Sequence, residues 1–140
     1  MGKKLIFVAD DQPNVRKLIS HWVKGDEYDV REFDRGSDLL EALEEKPDAV
    51  CLDIVMPGMD GFEVLNEIQV KAPGLPVIMV TATDSLEIAV EAIRKGAYDF
   101  ITKPIDRHRL IASLKKAVEK NSMVKEINQL RKALGHVFSF

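Results

Sequence analysis

Five short apolar runs, each followed by a longer segment with helical spacing, constrain the fold of this 140-residue chain most strongly. The runs are KLIFVA, YDVREF, DAVCLD, LPVIMVTA and YDFIT. Strands that alternate with helices in this way form a parallel sheet covered by helices on both faces. Residues 5–9, 49–52 and 77–80 are continuously apolar, which is typical of central strands buried on both sides. We therefore predict an α/β fold with a doubly wound, five-stranded parallel sheet.

Helix boundaries are indicated by residues that cap helix ends. Ser37, Asp60 and Asp84 are candidate N-caps, and the two aspartates are each followed three residues later by a glutamate, the spacing of a capping box. Gly96 offers a C-terminal stop for the fourth helix, and the fifth begins near Asp106.

Composition excludes several classes of protein. Hydrophobic residues make up 46% and charged residues 31%, as in a globular domain, and the net charge of −3 gives no sign that this chain binds nucleic acid directly. The single cysteine, Cys51, lies in an apolar run and is expected to be a buried strand residue in a reducing compartment. Because no signal peptide is recognisable and no run approaches the ~18 residues of a membrane span, we expect a cytoplasmic protein without membrane contact.

Polar residues follow four of the predicted strands at the point where each ends. They are Asp10 and Asp11 after the first, Asp53 after the third, Thr81 after the fourth and Lys103 after the fifth. With right-handed crossovers and the flavodoxin-like strand order 2-1-3-4-5, these four ends are adjacent, and ligands of such sheets bind beyond them. We therefore expect three carboxylates, a hydroxyl and an ammonium group in one pocket.

Three adjacent carboxylates repel one another unless a cation compensates them. Mg²⁺ is the natural occupant, since it prefers oxygen ligands and accepts phosphate oxygens, so the pocket suits phosphoryl chemistry. Asp53 can act as the nucleophile and form an acyl phosphate, while Lys103 and the metal offset the charge of the transferring group. Thr81 and the backbone N–H of Ala82 can donate hydrogen bonds to a phosphate oxygen.

Taken singly, most of these residues also have a structural explanation. Asp11 could be the N-cap of the first helix, and Thr81 could be an ordinary β-branched strand residue. Lys103 could be a solvated surface lysine, and for Asp60 a helix cap is favoured over a metal ligand. Asp10 has no comparable explanation. The convergence of five residues on one edge favours the functional interpretation.

Four blocks strongly resemble the receiver domain of two-component response regulators. They are ADD at 9–11, LDIVMPGMDGFEVL at 52–65, VTAT at 80–83 and GAYDFITKPI at 96–105. The resemblance covers about residues 4–120 and is nearest to the nitrogen-regulator class of transcriptional activators. It implies a switch that accepts a phosphoryl group from a histidine kinase or histidine phosphotransfer protein and controls an output, expected to be transcription.

The resemblance also implies how the pocket works. Asp53 is then the phosphoacceptor. Asp10, Asp11 and Asp53 bind Mg²⁺ together with the backbone carbonyl of Val55. Lys103 resembles the lysine that binds the phosphate in receivers.

Further roles implied by the resemblance lie on the fourth and fifth strands. Thr81 and Phe100 form the switch pair, and Phe100 takes the aromatic position because it lies three residues before Lys103. For Tyr98 a role in the strand core is favoured. The peptide bond between Lys103 and Pro104 is expected to be cis.

The last helical segment continues past about Lys120, where a receiver could end. We therefore divide the chain into a receiver domain, residues 1–120, and a helical extension, residues 121–140. The extension carries an apolar seam with spacings of 4, 3 and 4, formed by Met123, Ile127, Leu130 and Leu134. This heptad pattern favours a coiled coil that joins two copies, or a linker to an output domain. The alternative is an amphipathic helix that folds back onto its own domain, and Gly135 would end the helix.

Two other functions are weighed against the receiver. A haloacid-dehalogenase-type phosphatase also uses an Asp, Mg²⁺, a Thr or Ser and a Lys, but it needs an Asp where Val55 stands and a nucleophile on the first strand. A dimerisation adaptor with a vestigial site is disfavoured because Asp53, Thr81 and Lys103 are intact. We expect a phosphoacceptor switch that catalyses only its own phosphorylation and dephosphorylation, and not an enzyme with a separate substrate.

Overall fold

Five parallel strands form one sheet in the computed structural model, which describes residues 2–25 and 27–134. The strands are β1 (Lys4–Ala9), β2 (Tyr28–Phe33), β3 (Ala49–Asp53), β4 (Val77–Thr81) and β5 (Asp99–Thr102). Their order across the sheet is 2-1-3-4-5, and each neighbouring pair is parallel. The predicted flavodoxin-like, doubly wound fold is therefore confirmed.

Five α-helices connect the strands or follow the last one. They are α1 (Pro13–Val23), α2 (Gly36–Glu41), α3 (Gly61–Lys71), α4 (Leu86–Arg94) and α5 (Arg107–Ala133), and α2 continues as a 3₁₀ turn (Ala42–Glu45). The predicted capping box between Asp60 and Glu63 is present at the start of α3. Asp106 caps α5 by accepting a hydrogen bond from the backbone N–H of His108, and Gly96, with φ of +102°, follows the end of α4.

Two of the predicted caps are wrong. The N-cap of α2 is Arg35, so Ser37 lies inside the helix. The N-cap of α4 is Ser85, whose side chain accepts a hydrogen bond from Ile88 N, and Asp84 lies one residue before it. In both places the N-cap is the last residue with extended backbone, and neither Ser37 nor Asp84 occupies that position.

Hydrophobic clusters cover both faces of the sheet. On one face α2 and α3 contribute Leu39, Val64, Leu65 and Ile68, packed with Phe7, Leu52 and Met79. On the other face α1 and α5 contribute Ile19, Val23, Leu110 and Leu114, packed with Ile6, Val8, Cys51 and Ile78. Every residue of β3 and β4 is buried, as the continuous apolar runs predict. Burial raises the pKa of the Cys51 thiol to about 12, so the thiol is protonated and inert at neutral pH.

The fifth helix is continuous over 27 residues. It contacts the chain just before β3, and its last turns extend beyond the sheet. Asp48, just before β3, anchors it there: its carbonyl accepts a hydrogen bond from Asn121 Nδ2 at 3.2 Å, and its Oδ1 lies 3.6 Å from Lys125 Nζ. The seam residues remain 42–61% exposed: Met123, Ile127, Leu130 and Leu134. As far as Leu134, then, the extension does not fold back onto its own domain, and Gly135 lies outside the described residues.

None of the helices in the described ranges is long and apolar enough to cross a membrane.

Candidate functional site

The pairing of β1 with β3 brings two acidic side chains to the same edge of the sheet. Ala9 lies opposite Leu52, so the next residues, Asp10 and Asp53, leave their strands side by side. Both are nearly inaccessible, at 1% and 4% exposure, whereas Asp11 is exposed. One carboxylate oxygen from each of the three aspartates lies within 4.8 Å of the others. The acidic pocket expected at this edge is therefore present.

Lys103, which follows β5, reaches over both buried carboxylates. Its backbone N–H donates to the carbonyl of Thr81 at 2.7 Å, and this hydrogen bond fixes the position of the Lys103 backbone. Its Nζ lies 3.0 Å from Asp10 Oδ2 and 3.4 Å from Asp53 Oδ2. The peptide bond to Pro104 is cis. The side chain of Lys103 is only 14% exposed, so the simple explanation of a solvated surface lysine does not hold.

The turn after β1 shapes the pocket from the other side. Asp10 Oδ1 accepts a hydrogen bond from Gln12 N at 2.9 Å, and Gln12 Oε1 accepts one from Lys103 Nζ at 3.2 Å. Arg16 Nη1 donates to the carbonyl of Asp10 at 2.9 Å and so stabilises the backbone just after β1. The N-cap of α1 is Gln12, without a side-chain cap, so the alternative of Asp11 as a helix cap is wrong. The sequence did not indicate Gln12 or Arg16, because the role of each depends on a contact that only the fold creates.

One carboxylate oxygen of the pocket has spare acceptor capacity. Asp10 Oδ2 is buried and accepts no hydrogen bond from any residue in ranges 2–25 and 27–134. The Lys103 ammonium is within ion-pairing distance of this oxygen but is not directed along a hydrogen bond to it. A buried acceptor without a partner is unfavourable, and a bound cation would satisfy it. The three oxygen donors fit a hard divalent cation such as Mg²⁺.

The electrostatics of the pocket act most strongly on Asp53. Burial, and then the neighbouring charge of Asp10, raise the pKa of Asp53 to about 6, against the opposing effect of Lys103. Its Oδ1 accepts a weak hydrogen bond from Val55 N at 3.4 Å, which favours the ionised form only slightly. Asp53 is therefore a carboxylate at neutral pH, and positive charge that enters the pocket would stabilise this ionised form.

Thr81 lies on β4, next to β3, and Phe100 lies on β5, the edge strand beyond β4. Thr81 ends β4, is 1% exposed, and its Oγ1 accepts a hydrogen bond from Thr83 N at 3.4 Å. Ala82 follows it at the same edge and is exposed. Phe100 is half-buried in β5, where it pairs with Met79. Tyr98 is also half-buried but lies just before β5, against the cluster that contains α5, in agreement with a packing role.

Gly61 allows the loop after Asp53 to pack closely against the strand end, a role that the sequence did not indicate. A Cβ there would lie 2.5 Å from the carbonyl oxygen of Asp53 and 2.6 Å from Ile54 Cα. The N–H of Gly61 donates to the Ile54 carbonyl at 2.7 Å, so the loop after Asp53 turns back onto the strand end. Asp60 accepts from Glu63 N at 2.9 Å, which confirms it as a helix cap. Gly61 and its partners all lie in the block LDIVMPGMDGFEVL, but the sequence does not show that the loop brings them into contact.

Comparisons with known proteins agree with this geometry. A family model described as "Response regulator receiver domain" matches residues 6–115. The DNA-binding transcriptional regulator NtrC of Escherichia coli strain K12 is 37% identical over 119 residues, which are 84% of this chain and 25% of NtrC. The chemotaxis protein CheY of Listeria monocytogenes is 40% identical over 116 residues, 81% of this chain and 98% of CheY.

A solved structure extends the similarity to the backbone. The crystal structure of NtrX from Brucella abortus matches with a TM-score of 0.85 and 35% identity, over 93% of this chain and 30% of NtrX. The chain thus spans only about a quarter of NtrC and less than a third of NtrX, whereas it matches almost all of CheY.

Proposed function

The chain belongs to the response regulator receiver family, whose members are phosphoacceptor signalling switches, and from this premise we propose that Asp53 is its phosphoacceptor. The observation that carries the proposal is the position of Asp53. Its nearly buried carboxylate lies 3.4 Å from Lys103 Nζ and beside two further aspartates at the end of a central strand. A haloacid-dehalogenase-type phosphatase is not favoured, since the family match covers most of the chain.

In the proposed reaction an oxygen of Asp53 attacks the phosphorus of the donor. The new O–P bond makes an acyl phosphate, while the bond from phosphorus to the donor's oxygen or nitrogen breaks and the donor leaves with that electron pair. Lys103 stands where it can offset charge on the phosphoryl oxygens, and Thr81 with the N–H of Ala82 can donate hydrogen bonds to them. The partner that supplies the group is proposed to be a histidine kinase or a histidine phosphotransfer protein, in the cytoplasm.

Phosphoryl labelling tests this function. Incubated with Mg²⁺ and acetyl phosphate, the protein should gain one phosphoryl group per chain, seen by intact mass spectrometry. Hydroxylamine should remove it, because hydroxylamine cleaves acyl phosphates but leaves phosphoserine and phosphothreonine intact. A chain that gains no label, or a label that resists hydroxylamine, would refute the assignment of Asp53.

The metal proposed for the pocket is Mg²⁺. Asp10, Asp11 and Asp53 would hold it together with the backbone carbonyl of Val55, and when bound it would neutralise charge on the transferring phosphoryl group. The support from the structure is the clustered oxygens and the buried Oδ2 of Asp10, which accepts no hydrogen bond within the described residues.

Removal of one carboxylate should weaken this metal site. We expect Asp11→Ala to lower the affinity for Mg²⁺ by about tenfold or more, because a hard cation depends on the number of charged oxygen ligands. Calorimetry, or fluorescence of Trp22, would measure it. Asp29→Ala, at an exposed aspartate of β2, is the control and should leave the affinity unchanged. An unchanged affinity in Asp11→Ala would exclude Asp11 from the site.

The switch is proposed to run through Thr81 and Phe100. A phosphoryl group on Asp53 would draw the Thr81 hydroxyl towards it and let Phe100 move inward, which remodels the face made by α4, β5 and α5. Amide spectra with and without beryllofluoride, which stands in for the phosphoryl group, should then show changes along β5 and α4. Changes confined to the acidic pocket would contradict this route.

The proposed output is the control of transcription. This rests on NtrC, named as a DNA-binding transcriptional regulator, of which the chain matches only a quarter. With a net charge of −3 the chain is not proposed to bind nucleic acid itself. The output would depend on a further domain or partner linked through residues 121–140.

We further propose that the seam of α5 joins two copies of the chain. Its four side chains stand 42–61% exposed on a helix whose direction Asn121 and Lys125 fix against Asp48. Full burial of such side chains is worth roughly 1.5–3 kcal/mol each, and a two-fold axis would bury the same stripe from both chains.

Charges placed on the seam should separate the two copies. We expect the double substitution Ile127→Lys and Leu130→Lys to convert a dimer into a monomer in light scattering, with helix content by circular dichroism nearly unchanged. The control, Glu126→Lys with Gln129→Lys, adds charge beside the seam and should remain dimeric. A wild-type chain that is monomeric at high micromolar concentration would refute the dimer.

A further inference from the structure

The Lys103 ammonium has three neighbours in the pocket, and only two of them are carboxylates. Its Nζ lies 3.0 Å from Asp10 Oδ2, 3.4 Å from Asp53 Oδ2 and 3.2 Å from the amide oxygen of Gln12. An ammonium group has three N–H donors, enough for one donor to each neighbour. Hydrogen-bonding geometry holds only towards Asp53 and Gln12, and the bond to Gln12 is the shorter.

Gln12 is itself held in place by the pocket. Its backbone N–H donates to Asp10 Oδ1 at 2.9 Å, and it stands at the N-cap of α1, immediately before Pro13. Its side chain makes no capping hydrogen bond to the helix. The side chain is therefore not needed to start α1, and its hydrogen bond from Lys103 remains its contribution to the pocket.

We propose that Gln12 is a positioning residue for phosphoryl transfer, whose amide oxygen holds the Lys103 ammonium over Asp10 and Asp53. Without the Gln12 amide, the flexible lysine side chain is restrained by one long hydrogen bond to Asp53 and by an ion pair with Asp10 that lacks hydrogen-bond geometry. A positioned charge stabilises the transferring group better than a mobile one, since its reorganisation is complete before the reaction. The proposal rests on the proposed role of Asp53 as the phosphoacceptor.

The binding of beryllofluoride in saturating Mg²⁺ measures this effect at equilibrium. Gln12→Met keeps the length of the side chain and the backbone N–H but removes the amide acceptor. We expect it to weaken beryllofluoride binding, and to slow labelling by acetyl phosphate, by about three- to tenfold, the usual effect of one hydrogen bond. Gln129→Met, the same change at an exposed position of α5, is the control and should behave as wild type.

A double-mutant cycle separates positioning from other causes. Gln12 is proposed to act through Lys103, so in a Lys103→Met background the further change Gln12→Met should alter beryllofluoride affinity by less than about twofold. A full effect in that background, or none in the wild-type background, would overturn the proposal. A wild-type chain that neither binds beryllofluoride nor accepts a phosphoryl group would instead refute the phosphoacceptor role of Asp53.

Discussion

Replacement of Asp53 by asparagine is expected to abolish phosphoryl labelling and, in metal-free buffer at pH 7, to stabilise the fold by roughly 1–3 kcal/mol. Loss of labelling follows because an amide is not a nucleophile towards phosphorus. The gain in stability follows because ionised Asp53 is buried beside Asp10 and raises the free energy of the folded state.

The sign of this effect comes from the two protonation equilibria of Asp53. Its pKa is about 6 in the folded chain, against an ordinary value of 3.8. Between these values the folded state keeps the proton that the unfolded state has released, so stability falls as the pH rises through the window. Above the folded-state pKa, Asp53 is ionised in both states, and the folded state carries the full electrostatic cost of the buried charge. Asparagine cannot ionise, so the variant should lack this part of the pH dependence.

Urea unfolding from pH 4 to pH 7, with a chelator present, measures the difference between the two proteins. The control is Asp29→Asn, which changes an exposed side chain and should shift the free energy of unfolding by less than about 0.5 kcal/mol. A variant that is less stable than wild type at pH 7 would show that Asp53 contributes favourable contacts instead of electrostatic strain.

Mg²⁺ should narrow the difference in stability between the two proteins. A ligand that binds only the folded state adds RT ln(1 + [L]/Kd), about 2.7 kcal/mol at a hundred times Kd. The wild type should gain this stabilisation in full, whereas Asp53→Asn, with one carboxylate fewer, should gain less. The clustered carboxylates that destabilise the metal-free fold would thus be the same groups that bind the cation.

Much of the fold could be predicted because its signals are local. Strands buried on both sides must be continuously apolar, and β3 and β4 are buried at every residue. The capping box between Asp60 and Glu63 and the glycine after α4 are short-range patterns, so both are predictable from the sequence. The meeting of Asp10, Asp53 and Lys103 followed from topology alone, since the strand order decides which ends are neighbours.

The residues that could not be predicted act through distant neighbours or compete with adjacent ones. Asp84 and Ser85 are both good caps, and only the backbone decides that Ser85 is used. Gln12 contacts Lys103 across 91 positions of the chain, and Arg16 donates to the carbonyl of Asp10 from the first turn of α1. Neither contact has a signature in a single sequence.

Gly61 gives the largest expected loss of stability. We expect Gly61→Ala to lower the free energy of unfolding by roughly 2–3 kcal/mol, because the added methyl group would overlap backbone atoms of Asp53 and Ile54. A flexible side chain could move aside, but these atoms belong to the end of β3 and the loop that follows. Relief of the overlap must therefore displace Asp53, the proposed phosphoacceptor, and labelling by acetyl phosphate should slow by about tenfold or more, as 1 Å displacements in active sites do.

Substitutions at two other glycines serve as controls for the general effect of replacing glycine by alanine. Gly25→Ala meets no atom within 4 Å and should change stability by less than about 0.5 kcal/mol. Gly58→Ala also has open space, but its φ of +79° should cost about 1–2 kcal/mol through backbone strain alone. Gly61 has no such φ, and alanine is otherwise the better helix former, so a loss there can come only from the close approach to β3. If Gly61→Ala were as stable and as quickly labelled as Gly25→Ala, the strand end would be able to yield, and the position of Asp53 would not depend on this contact.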